Sequence, residues 1–151
     1  KGGFMHSRIF VLSENYTEEE LFLWDDPEIA AQLKVDYIVP SEDFIDDIEW
    51  LQDAYGIKIS KEGDKHFIPY NEIGILKNSL EEIRKKRIET IADELKKESP
   101  DLWKIAYEAW NQHSFFFYIE NCTRNEMELL DYLEQRNPEK LYVLGSYDYH
   151  F

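Results

Sequence analysis

A chain of 151 residues, 43% apolar and 15% aromatic, is long enough to bury the core of one domain without staples. Its 32 acids against 17 Lys and Arg give a formal charge of −15, which argues against direct nucleic-acid binding because phosphate backbones are held by cationic side chains. Cys122 stands alone, so an intramolecular disulfide and a Cys-rich zinc cage are both excluded, and no apolar run approaches the ~18–20 residues of a membrane span.

Lys1 to Phe4 read as an artificial remnant ahead of Met5, leaving one domain over 5–151; without a signal-peptide pattern, a cytoplasmic location is expected. SRIFVLS (7–13) predicts a first, central strand. Two short helical pieces follow, one with Thr17 and Glu20 at capping-box spacing, the other with Asp26 as cap and Pro27 in its first turn. VDYIVP (35–40) predicts a second strand, after which Ser41 caps a helix over 42–55 that Gly56 ends. Alternation on either side of Glu62-Gly63-Asp64 predicts a hairpin over 57–68. A long helix from Asn71 comes next, with Ser79 and Glu82 leaving open a break near residue 78. Ser99-Pro100-Asp101 starts another helix, 114–121 is a strand, and Thr123 and Glu126 cap a last helix closed by Asn137-Pro138. LYVLGSYDYHF ends the chain as a strand.

This order predicts an α+β single domain, a mixed β-sheet of about five or six strands covered by helices. The segment 115–146 reads as a β-α-β unit with a parallel, right-handed crossover.

Charge is concentrated. Residues 14–53 hold fourteen acids against one base, Lys34, a balance of −13, whereas the remainder is nearly neutral at −2. On a helical wheel of 42–55, Phe44, Ile48, Leu51 and Tyr55 share one stripe and Glu42, Asp46, Glu49 and Asp53 the opposite one. Trp50 falls about 60° from the acidic stripe, beside Asp43 and Asp47. It reads either as an interface anchor or as packing for the Trp24 segment. Like-charge pairs one turn apart (Glu42/Asp46, Asp43/Asp47, Glu49/Asp53) cost about 0.2–0.5 kcal/mol each, and Glu49 and Asp53 also lie toward the unfavourable end of the helix dipole. The segment TEEELFLWDDPE repeats the mixture of aromatics and acids, with Phe22 and Trp24.

Competing chemistries have thinner support. Clustered carboxylates suit a divalent cation, but no EF-hand spacing occurs, and Glu62-Gly63-Asp64-Lys65 only faintly echoes a nuclease motif. Cys122, just before a predicted helix, reads as a small buried filler rather than a nucleophile; His6, His66, His113 and His150 offer it no partner that spacing identifies. Arg84-Lys85-Lys86-Arg87 reads as a salt-bridged exposed face, and Tyr147, Tyr149 and His150 as part of an edge strand.

The resulting expectation is a non-catalytic, acidic protein-binding domain, of the inhibitor or immunity type. It would dock on a basic, nucleic-acid-handling partner through Trp24, Asp25, Asp26, Glu42, Asp43, Asp46, Asp47, Glu49, Trp50 and Asp53. No cofactor or metal is expected. The alternatives are a metal-dependent hydrolase or nuclease using the clustered carboxylates, and an acidic surface serving solubility alone.

Overall fold

The computed structural model describes residues 7–17, 37–110 and 115–150. The predicted helical pieces within 18–33, and with them Trp24, Asp25 and Asp26, lie outside the described residues. In chain order the elements are β1 (Ser7–Ser13), β2 (Tyr37–Pro40), α1 (Phe44–Tyr55), β3 (Ser60–Glu62), β4 (Lys65–Pro69), α2 (Tyr70–Leu95), α3 (Leu102–Trp110), β5 (Phe115–Ile119), β6 (Cys122–Arg124), α4 (Glu126–Arg136) and β7 (Lys140–His150).

One mixed seven-stranded sheet runs β3-β4-β7-β1-β5-β6, with β2 also paired to β7. The α+β class and the mixed sheet are as the element order predicts. β1 is central and apolar through Ile9, Phe10, Val11 and Leu12, all fully buried, because both faces of the sheet are covered there. β7 is its long antiparallel partner. A bulge where Val11 opposes Gly145 and Leu12 opposes Val143 leaves Leu144 as the extra residue. On its other edge β7 takes β4 along 140–143 and β2 along 147–150. In the gap between them the Ser41 N–H bonds the Ser146 carbonyl at 3.0 Å.

Four expectations are corrected. The C-terminal strand is interior, so Tyr147 and Tyr149 are core residues at 4% and 2% exposure. β5 and β7 flank β1 on opposite sides, β5 parallel and β7 antiparallel to it, so the 115–146 segment makes no parallel crossover. The reason is a strand the spacing concealed. Cys122–Arg124 turns back on β5, and the capping box belongs to Asn125 and Glu128 rather than Thr123 and Glu126. Cys122 is accordingly exposed, not a buried filler.

Phe10, Leu12, Phe117, Leu141 and Val143 meet Ile48, Leu51, Tyr55, Leu76, Leu80, Leu129 and Leu133 in the core beneath α1, α2 and α4. Ile9, Val11, Tyr118, Tyr147 and Tyr149 form a second cluster on the opposite face. α2 runs unbroken through residue 78, and Ser79 donates to the Tyr55 carbonyl at 2.6 Å, tying the two helices instead of starting a new one. Of the basic quartet, Arg84 pairs with Glu81 on the surface as predicted, but Arg87 is buried and donates to Glu126 at 2.7 Å. Glu126 also accepts from the Tyr55 hydroxyl at 2.7 Å, so one carboxylate fastens α1 and α2 to α4. Burial, and then the Glu126 charge, push the Tyr55 hydroxyl pKa well up, which keeps it a neutral donor.

Candidate functional site

α1 carries most of the predicted residues that are described. It begins at Phe44, with Asp43 as N-cap and no side-chain cap; Ser41 is two residues too early and instead accepts the Asp43 N–H at 3.2 Å. Gly56, in the left-handed region at φ 66°, ends the helix. Ile48, Leu51 and Tyr55 face the core, so the opposite side is left to solvent with Glu42, Asp43, Asp46, Glu49 and Asp53. Two apolar side chains share that exposed surface: Ile45 at 57% exposure and Trp50 at 51%. Trp50 thus keeps about half of its surface open to solvent, and the Trp24 segment lies outside the described residues. Val39 of β2 is also exposed.

Asp47 separates from the rest. It is 2% exposed and accepts from Arg8 Nε at 2.8 Å and from Ser146 Oγ at 2.7 Å. Arg8 Nη1 donates to Asp148 at 2.8 Å. Of the predicted set, Asp47 is thus a bolt between α1 and the sheet, not part of the exposed acidic surface. Its wheel position, between the acidic stripe and the apolar one, is the sequence signal for this. The second signal is Arg8 itself, which alternates with Phe10 and Leu12 toward the helices, where a guanidinium requires buried acceptors.

Arg8 links that bolt to the surface. Its guanidinium carbon lies 5.6 Å from the centre of the Trp50 ring, within cation–π range. The indole is held by a cation whose own position is fixed by two carboxylates. A half-exposed aromatic braced in this way loses little side-chain freedom when a partner covers it. The surrounding carboxylates supply the long-range field, and the neutral indole supplies apolar area.

Elsewhere, Glu14, Asn15, Asn137, Pro138, Glu139 and Lys140 line an open polar groove of about 400 Å³. Glu14 is engaged there, accepting from the Tyr132 hydroxyl at 2.7 Å. Glu62-Gly63-Asp64-Lys65 forms the β3–β4 turn, with its residues exposed. Among the described residues, no three His, Cys, Asp or Glu side chains come together in a way that would hold a metal ion. Among them too, no helix is long and apolar enough to cross a membrane. The chain matches no known family model, no curated protein and no solved structure.

Proposed function

We propose that this protein is a non-catalytic binding domain whose α1 face docks on a basic protein surface of the kind that handles nucleic acid. The observation carrying this reading is Trp50, half exposed on a carboxylate-rich helix and braced by Arg8. Glu42, Asp43, Asp46, Glu49 and Asp53 imitate a run of phosphates, steer the encounter and pair with Lys and Arg, while Trp50 and Ile45 bury against the partner and set the dissociation rate. Inhibition then follows from occupancy: a partner whose phosphate-binding groove is filled by α1 cannot also hold its polyanion.

Affinity capture from source-cell lysate tests this with three baits: wild type, Trp50→Ala and the Asp46→Asn/Glu49→Gln/Asp53→Asn triple variant. The expected result is a basic protein retained by wild type, lost by both variants and displaced by short duplex DNA. Identical partner lists for all three baits would overturn the proposal.

A further inference from the structure

Trp50 offers a partner more than apolar area. The Arg8 guanidinium stands over the indole, 5.6 Å from its centre, because its Nε donates at 2.8 Å to Asp47. Asp47 lies on one flank of Trp50, about 60° round the helix. Asp46, Glu49 and Asp53 lie on the other flank, about 40–100° round, with Asp46 one turn before Trp50 and Asp53 one turn after it. One face of the ring is thus given to Arg8, and the half of the residue that stays open is turned toward these three carboxylates. All three are exposed, and among the described residues none of them enters an ion pair. Ala54, the next residue up that side of the helix, is exposed and too short to cover the ring.

We infer that Trp50, Asp46, Glu49 and Asp53 together receive an arginine side chain of the partner, an inference that rests on the docking role proposed above for α1. The planar guanidinium stacks on the open face of the indole, and its N–H groups fork onto the carboxylates of the adjoining flank. The charge already under the ring does not oppose this. Arg8 is compensated by Asp47 through Nε and by Asp148 through Nη1, both at 2.8 Å, so a second cation meets the negative π-surface without a net positive charge behind it. Arg8 also shows the proposed contact within the chain itself: a guanidinium on this same indole, held by carboxylates. A lysine gains less in that position. Its ammonium is a compact, strongly hydrated point charge that neither lies flat on a ring nor forks onto paired oxygens. Charge alone would draw any basic surface, whereas Trp50 makes α1 select those that hold their polyanion with arginine.

Hexa-arginine and hexa-lysine peptides, equal in length and charge, test this on the full chain by heteronuclear NMR titration at about 0.15 M salt. The Trp50 indole N–H resonance, assigned by its loss in Trp50→Leu, is expected to move with hexa-arginine. Hexa-arginine should bind about 2–10-fold more tightly than hexa-lysine, the range that one cation–π contact supplies. Trp50→Leu keeps an apolar side chain and removes the π-face, so the preference should largely disappear while circular dichroism stays unchanged, the ring being half exposed. Equal affinities for wild type, or an undiminished preference in Trp50→Leu, would overturn the inference and leave docking by charge in place. Failure of both peptides to bind would count against both.

Discussion

Asp47 and Trp50 sit within one helical turn of each other and do opposite work. Asp47 is buried on Arg8 and Ser146, whereas Trp50 is half exposed and rests on the same arginine. Asp47→Ala leaves the Arg8 charge short of an acceptor in a nearly closed site, and a loss of about 3–5 kcal/mol is expected in urea unfolding. Trp50→Ala removes an exposed ring and a modest cation–π contact worth about 0.5–1 kcal/mol, so its expected effect is lost binding with little lost stability. Reversed outcomes would mean that Trp50 is a packing residue. The wheel separates these two residues only in part. It places Trp50 off the apolar stripe, but that Asp47 turns inward depends on Arg8, thirty-nine positions away, and no helical period reports such a pairing.

At the scale of elements, α1 keeps an electrostatic cost that its packing does not require. Asp43/Asp47 is relieved because Asp47 pairs with Arg8, but Glu49 and Asp53 remain exposed, one turn apart and near the negative end of the helix. Glu49→Gln and Asp53→Asn are therefore expected to stabilise the fold, each by about 0.2–0.5 kcal/mol, while weakening binding. A fall in melting temperature for both would show that these carboxylates support the fold. α3 depends on pH through Glu94, whose carboxyl is held down at about 2 by the Lys97 hydrogen bond and then the Asp101 N–H. A carboxyl lowered in the folded state contributes stability above its ordinary value of about 4.5, and that contribution disappears as pH falls toward 2. Between about pH 5 and pH 2.5, Glu94→Gln should lose less melting temperature than wild type; equal losses would place the acid sensitivity elsewhere. Strands and helices with strong local signals were legible: SRIFVLS, the Gly63 turn and the Asn137 stop. β6 was not, because three residues carry no periodicity, and its turn through Glu120 and Asn121 uses positive φ at both without a glycine to announce it. The interior place of β7 was hidden too. Strand order comes from pairing across the sheet, and a run of alternating tyrosines suits an edge or a centre equally well.

For the whole molecule, charge is divided unevenly: −13 within 14–53 and −2 across the rest. If α1 docks on a basic partner as proposed, that binding is expected to weaken as ionic strength rises. Composition and spacing alone made the acidic concentration visible. They could not show which acids stay exposed, since that depends on how α1 lies on β1 and β7.

The central claim is that the exposed face of α1 touches a basic partner, and site-specific photocrosslinking tests it most directly. Benzoylphenylalanine at position 50 and, as control, at exposed position 88 on α2 should give different products in source-cell lysate. The account predicts a basic protein crosslinked from position 50 alone, diminished by duplex DNA. No product from position 50, or the same products from both positions, would contradict it.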